Sequence, residues 1–210
     1  MAGSFYRLNY GDKESDSQVA IPAQAEDYAL FIKALLDIQQ ACLGFEDYGD
    51  QAQDWLAEAI ALQAQFDQQL AGDQGGYINA TSEQLIVQER AYQDSAVPSA
   101  NGVAITSLVR LFLLTENLDY LSRAETALQS FSTVLQKAPR ACPSLLQALD
   151  WFTHPVLIRT STDYLSDVQN QRLSTAMVRI EDELPAGVIA LVCKGLTCLK
   201  AATDMAMMRQ

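Results

Sequence analysis

The chain has 210 residues, of which 49% are hydrophobic, so it can bury a sizeable core and disorder is expected only at its ends. Its 26 acidic residues outnumber 14 basic ones, which gives a net charge of −12. Nucleic acids and anionic membranes bind basic surfaces, so we expect neither as a partner. The most apolar run, 103–114, is too short to span a bilayer. With no apolar signal segment at the N-terminus, the sequence predicts a soluble cytoplasmic protein, not an integral membrane protein.

The first part of the chain predicts an arm followed by two helices. Residues 1–20 are polar without periodicity and are expected to form a flexible N-terminal arm. From position 23 apolar residues recur at helical spacing, and a second amphipathic helix is predicted over 51–71. The segment "GDQGGYINATSEQLIVQERAYQD" then breaks this period. Within it, "YINAT" and "QLIV" are expected to form short extended pieces of a hairpin-like excursion.

Three more helices and a different C-terminal segment follow. The third helix, 98–114, is apolar on nearly every side and must be covered all round. A fourth, amphipathic helix is predicted over 116–138, and a shorter fifth one has Pro143 in its first turn. "VLIRTST" and "AGVIALVCKG" are typical of strands.

Alternating buried and half-exposed helices favour a toroid of helical hairpins. The expected fold is therefore mainly α: about half of a six-hairpin (α/α) toroid with a small α/β C-terminal tail. The expected division is an arm over 1–20, a helical-hairpin half-toroid over 21–155 and the tail over 156–210.

The densest polar cluster is "DSAVPSANG", which precedes the third helix. Asp94, Ser95, Ser99 and Asn101 all form hydrogen bonds readily, and the small residues between them allow close backbone approach. Two interpretations remain open at this stage. The cluster is either the rim of a ligand cavity or a helix cap combined with tight packing.

Other candidates carry the same ambiguity. Asp27 and Tyr28 could project into a sugar-binding cavity, but an aspartate at a helix start also caps the helix. Tyr77 follows two glycines and could form a sugar platform or a packed turn.

The cysteines and the single histidine restrict the possible chemistry. Cys193 and Cys198 lack the two-residue spacing of a thioredoxin-type pair, so they are either redox candidates or buried residues. Cys42 and Cys142 are expected in the core. One histidine, His154, excludes a His-rich metal site and fits the end of a helix.

No phosphate-binding glycine loop or nucleophile elbow is present, so we expect no metal and no cofactor.

Several segments, in order, resemble the C-terminal part of a known family: "AEDYALFIKALLDIQQA", "WLAEAIALQAQF", "GGYINAT", "LIVQERAYQDSAVPSANGVAITSLVRL", "APRACPSLLQALDWF" and "ALVCKGLTC". These are the thioredoxin-domain-containing proteins of the spermatogenesis-associated type. The resemblance implies an (α/α)6 toroid similar to sugar epimerases and six-hairpin glycosidases, here without the thioredoxin-like domain and the first hairpins. The chain has "PSANG" and "QERAYQD" where relatives carry "PSGNS" and "RPKDxxDG".

Three functions remain open. The first is a non-catalytic binding or structural subunit that docks onto a protein partner or another copy of itself. The second is a carbohydrate-binding or carbohydrate-processing protein acting with the absent toroid half, and the third is a thiol-redox accessory. For the second, the catalytic candidates are Asp27 and Asp94, and the residues expected to line the ligand are Tyr28, Tyr77, Ser95, Ser99 and Asn101. Catalysis by this chain alone is not expected.

Overall fold

The computed structural model describes residues 5–10, 19–45, 49–81, 87–171 and 174–209. In these ranges the α-helices are α1 (Ala25–Cys42), α2 (Gly49–Leu70), α3 (Ala100–Thr115), α4 (Leu118–Ser130), α5 (Ser132–Lys137), α6 (Pro143–Thr153) and α7 (Leu165–Gln169). The strands are β1 (Tyr6–Tyr10), β2 (Val19–Pro22), β3 (Val156–Thr160), β4 (Ala176–Ile180), β5 (Ala190–Lys194) and β6 (Thr197–Cys198). The prediction of a mainly α fold with a small α/β C-terminal tail is confirmed.

The centre of the molecule is α3, which contacts α1, α4 and α6. Every residue of α3 except Thr106 and Thr115 is buried. This confirms the expectation that a helix apolar on nearly all sides is covered all round. Since α3 lies between α1 and α6, these three helices form a row, and α2 and α4 pack on α1 and α3 respectively.

A buried arginine ties this row together. The guanidinium of Arg110, on α3, lies 2.8 Å from a carboxylate oxygen of Asp37 on α1. It also donates to the Met177 sulfur on β4 and lies over the Trp151 ring on α6. Burial lowers the pKa of Arg110, and the attraction of Asp37 opposes that effect. The buried charge is therefore paired, as the interior requires.

The C-terminal strands form one sheet in the order β4-β3-β5-β6. β3 and β4 are parallel and are connected through α7, whereas β5 is antiparallel to β3 and β6 completes a hairpin with β5. Strand side chains alternate between faces, so this sheet contributes to two cores. Leu157, Met177 and Cys193 pack with the helices, whereas Ile158, Val178 and Val192 pack in a second core with α7.

Within the arm predicted over 1–20, residues 6–10 form β1, which pairs with β2; the alternating Tyr6, Leu8 and Tyr10 provide the period of a strand. Two other local expectations require correction. The fourth helix is not continuous but is interrupted at Phe131, whose ring is buried in the core. "YINAT" is irregular instead of a strand, with one isolated bridge from Tyr77 to Ala71 across the turn that precedes it. Most of "QLIV" lies outside the described residues.

The row of helices has an open end at α1 and another at α6. Phe31 and Ile38 on α1 are 44% and 42% exposed, and Leu146 and Leu149 on α6 are 40% and 36% exposed. In a complete toroid, further hairpins would pack against such ends. The half-toroid and the three-part division of the chain stay predictions. In the described ranges, none of the helices combines the length and hydropathy that a bilayer crossing requires.

Candidate functional site

The polar cluster before α3 connects the starts of two helices. Asp94 accepts hydrogen bonds from the backbone N–H of Ser99 at 3.0 Å and of Ser144 at 2.8 Å. Ser99 caps α3 by accepting from the Gly102 N–H at 3.2 Å, and its hydroxyl lies 2.8 Å from that of Ser144. The second residue of α6 is Ser144, so Asp94 caps α6 from a loop far away in sequence. We call Asp94, Ser99 and Ser144 the α3–α6 junction.

The protonation of Asp94 follows from these contacts. Partial burial raises its pKa, but hydrogen bonds from Ser144 and Ser99 outweigh burial, and the pKa lies below its ordinary value of 3.8. Asp94 is therefore a carboxylate whose oxygens are engaged by the protein. A general acid would need the opposite shift, towards neutral pH.

We expect Asp94→Ala to lower the free energy of unfolding by about 1–3 kcal/mol at pH 7. The substitution removes the carboxylate that caps α6 and leaves the Ser99 backbone N–H without its acceptor. Since the folded pKa is the lower one, the contribution of Asp94 is complete above pH 3.8 and is lost as the pH falls through the folded value. Urea denaturation between pH 7 and pH 3 measures this. Asp54→Ala, at an exposed position of α2, is the control and should change stability by less than about 0.5 kcal/mol. A difference between wild type and Asp94→Ala that grows on acidification would contradict the assignment.

Asn101 holds the 71–99 loop against α3. Its carboxamide oxygen accepts from the Tyr77 N–H at 2.7 Å, and its amide nitrogen donates to the carbonyls of Tyr77 at 3.0 Å and Ala91 at 2.8 Å. The side chain is completely buried. Three loop backbone groups therefore depend on this one side chain.

Both tyrosines proposed as ligand contacts lie in the aromatic core. Tyr28 stacks on Phe66 at 5.0 Å between ring centroids, and its hydroxyl donates to Gln69 at 2.9 Å. Tyr77 stacks on the same Phe66 ring at 3.8 Å. Both side chains are almost completely buried. Protein atoms surround them, as in the packed-turn interpretation.

A second polar network, absent from the sequence-based candidates, surrounds the Tyr77 hydroxyl. This hydroxyl donates to Asp67 at 2.7 Å and accepts from Gln63 at 2.8 Å, and Asp67 also pairs with Arg123. Burial, followed by the charge of Asp67, raises the pKa of Tyr77 well above 10. The spacing of Gln63 and Asp67, one turn apart beside buried Phe66, was the available sequence signal.

Asp27 has the contacts of a helix cap. It accepts from the Gln24 backbone N–H at 2.8 Å, which fixes the start of α1. It also pairs with Arg7 on β1, with nitrogen–oxygen distances of 2.8 and 3.1 Å. These bonds attach the N-terminal hairpin to α1.

Four of the candidate residues border three different depressions. Ser95 and Ser99 line one of about 180 Å³ between the starts of α1 and α3. Glu26 and Asn79, which were not among the predicted residues, line it as well. Tyr77 borders another of about 200 Å³, and Asp27 borders a groove of about 420 Å³. The sequence thus identified polar positions but did not indicate that they point to different places.

A larger, mostly apolar depression was also missed. It has a volume of about 500 Å³ and lies between the end of α6 and the β5–β6 hairpin, with His154 and Lys194 at its wall. His154 is exposed and lies 2.9 Å from a carboxylate oxygen of Asp150, as expected at a helix end. Among the described residues, no group of three or more histidine, cysteine or acidic side chains could hold a metal ion.

The two cysteines of the C-terminal hairpin are joined. Cys193 and Cys198 form a disulfide, whereas Cys42 and Cys142 are free thiols. Burial, followed by the negative charge of Asp94, raises the pKa of the Cys142 thiol. Cys142 is thus an inert core residue, as expected, whereas Cys42 is only half-buried at the edge of the second core.

Comparison with known proteins supports the resemblance seen in the sequence. The chain is 33% identical over 129 residues to spermatogenesis-associated protein 20 of Rattus norvegicus and 33% identical over 128 residues to that of Homo sapiens. Over this segment the chain is homologous to spermatogenesis-associated protein 20. An uncharacterised protein of Caenorhabditis elegans is 27% identical over an alignment of 220 residues. No family model matches the chain.

The extent of these matches is uneven. The rat and human matches include 59% of this chain but only 15% of the length of those relatives. The nematode match includes 93% of this chain and 29% of that protein. The chain therefore spans a small part of the proteins that it resembles. The toroid remains a prediction.

Proposed function

We propose that this chain is a non-catalytic binding subunit that docks onto the helices of a second polypeptide through the outer face of α1. The observation that carries the proposal is a second apolar stripe on that helix. Phe31, Ala34 and Ile38 follow helical spacing along a strip of α1 that flanks its buried residues, and all three are exposed. We call these three residues the α1 surface.

A helix that is apolar on two sides needs partners on both. One side of α1 packs on α2 and α3, where Ile32, Leu35 and Leu36 are buried. The α1 surface lies beside that contact and outside it. Clustered exposed apolar residues of this kind mark interaction sites more often than they mark the surface of a monomer.

The α1 surface borders a groove with an ordered shape. Phe5, Tyr6, Leu30, Phe31 and Ala34 line this groove of about 420 Å³. The rings of Phe5 and Phe31 stack at 5.6 Å, and the Arg7–Asp27 ion pair closes one edge. A preformed apolar groove with a polar rim loses little entropy on binding and accepts an apolar anchor from a partner.

The occupant that fits best is a helix of a different polypeptide. A second copy would bring another net charge of −12 to the contact, and this repulsion disfavours self-association. The homologous proteins are several times longer than the segment matched here, so in them the equivalent face has further polypeptide available to cover it. The open end at α6, with Leu146 and Leu149, offers a second contact.

The carbohydrate alternative lacks comparable support. Asp27 and Asp94 are engaged by backbone and side-chain donors, and Tyr28 and Tyr77 are packed in the core. It stays a hypothesis for an assembly that includes further polypeptide. The thiol-exchange alternative involves a different surface, the β5–β6 hairpin, and is independent of docking through α1.

We expect Ala34→Arg to weaken the complex at least about tenfold, which corresponds to about 1.4 kcal/mol. A bulky cation in the middle of the α1 surface fills the groove, while an exposed helical position tolerates arginine without loss of folding stability. The tagged chain is isolated from its source cells, the co-purifying polypeptide is identified and produced separately, and its Kd is measured by calorimetry.

The matched control is Ala57→Arg, which makes the same change at an exposed position of α2. It should leave the Kd unchanged within about twofold. Light scattering on the isolated chain tests the choice of occupant. A symmetric dimer that Ala34→Arg dissociates would assign the surface to a second copy. A monomer at every concentration that also binds no polypeptide through α1 would refute the proposal.

A further inference from the structure

We propose that the Cys193–Cys198 disulfide is a thiol-exchange site, at which a dithiol protein attacks the exposed sulfur of Cys198. The two cysteines are directly paired across the β5–β6 hairpin, and only the turn residues Gly195 and Leu196 separate the pair Lys194–Thr197. Gly195 has a φ of +59°, which a tight two-residue hairpin turn requires. The disulfide therefore lies at the tip of a projecting hairpin.

The environments of the two sulfurs differ strongly. Cys193 is 6% exposed and packs in the core that the helices form, whereas Cys198 is an exposed residue. Leu196 in the turn and Leu199 after β6 are also exposed. We therefore expect a reductant in solution to attack at Cys198, the exposed residue of the pair, with Cys193 as the departing thiol. Access is the factor that sets this direction of attack.

The fold does not depend on this bond. Its cysteines are five positions apart, so it constrains the unfolded chain less than a bridge between distant segments. Backbone pairing maintains the hairpin independently, since Lys194 pairs with Thr197 and the Leu199 N–H donates to the Val192 carbonyl at 2.8 Å. The disulfide can therefore open while the sheet stays folded.

The local charge favours an anionic reductant. The segment 193–200, "CKGLTCLK", contains two lysines and no acidic residue in a chain whose net charge is −12. Lys194 and Lys200 are both exposed. Cations next to a disulfide attract the thiolate that attacks it.

The exchange is balanced in two steps. A thiolate of the dithiol protein attacks the Cys198 sulfur, the bond between Cys198 and Cys193 breaks, and Cys193 leaves as a thiolate and takes up a proton. The second thiol of the dithiol protein then attacks its own mixed disulfide and releases Cys198, which is also protonated. This chain gains two electrons and two protons, and the dithiol protein is oxidised to a disulfide.

The test uses the oxidised full chain with reduced thioredoxin as the probe. We expect two thiols to appear, counted by alkylation and mass spectrometry, at least tenfold faster than core amides exchange by global unfolding. A thioredoxin without its second active-site cysteine should be trapped as a mixed disulfide on Cys198. Reduction no faster than unfolding, trapping on Cys193, or four free thiols in the protein isolated without reductant would each overturn the proposal.

Matched variants test the asymmetry without relying on the partner. Cys193→Ser leaves one exposed thiol at Cys198, which should react with iodoacetamide at least tenfold faster than the buried thiol left by Cys198→Ser. Circular dichroism verifies that both variants are folded. Equal labelling rates in folded variants would contradict the proposed direction of attack.

Lys194→Gln with Lys200→Gln should slow reduction by thioredoxin several-fold at low salt, and unchanged kinetics would contradict the charge argument.

Discussion

Replacing Asn101 by Asp is expected to lower the free energy of unfolding by about 4 kcal/mol or more, a large part of the stability of a domain of this size. The carboxylate has no N–H to donate, so the carbonyls of Tyr77 and Ala91 lose their donor and face an oxygen instead. The site is completely buried, so water cannot compensate. Urea denaturation followed by circular dichroism measures the loss.

Asn117→Asp is the control for this change. Asn117 caps α4 by accepting from the Asp119 N–H at 3.0 Å and is exposed, and a carboxylate serves equally well at that position. Its stability should stay within about 0.5 kcal/mol of the wild type. If Asn101→Asp were as stable as Asn117→Asp, the loop from 71 to 99 would not depend on the Asn101 carboxamide.

Gly102→Ala is expected to destabilise the protein by about 3 kcal/mol, even though alanine is the better helix former. A methyl group at this position would lie 2.1 Å from the Ser144 hydroxyl oxygen and 2.7 Å from its carbonyl carbon. Backbone atoms cannot rotate away, so α3 and α6 would have to separate and stretch the α3–α6 junction. Thermal and urea unfolding report the change.

Gly72→Ala provides the comparison at a less crowded position. The atoms nearest to an added methyl group there are an Arg90 side-chain carbon at 3.3 Å and the Gly75 carbonyl oxygen at 3.4 Å. We expect a loss below about 1 kcal/mol. Equal losses at Gly72 and Gly102 would show that close packing between α3 and α6 is not what requires glycine at 102.

Much of the fold could be predicted because its signals are local. The apolar period of α2, the unbroken apolar surface of α3 and the proline in the first turn of α6 each follow from spacing within one element. The strand pattern of β3 and β5 is equally local. β1 was missed because its alternation is short and interrupted by polar residues, so its pairing with β2 supplies what its composition does not.

The candidate site could be predicted only in part. Asp94, Ser99 and Asn101 were identified as hydrogen-bonding residues, but their partners were not. Ser144 lies 50 positions from Asp94, and no local pattern indicates that the two meet. The α1 surface could likewise be recognised only in the structure, which shows that the other apolar residues of α1 are buried against α2 and α3.

The sequence by itself determined the places of α1, α2, α3 and α6 and of β3 and β5, that α3 is enclosed, and that the chain resembles the spermatogenesis-associated type of protein. These properties depend on neighbours within a few residues or on similarity along the chain. Only the tertiary structure decided what the polar and sulfur-containing residues do. Asp94 caps a distant helix, Tyr77 fills the core, and Cys198 is bonded at an exposed hairpin tip. The reason is physical: a side chain's charge, burial and bonding depend on the groups that folding places beside it.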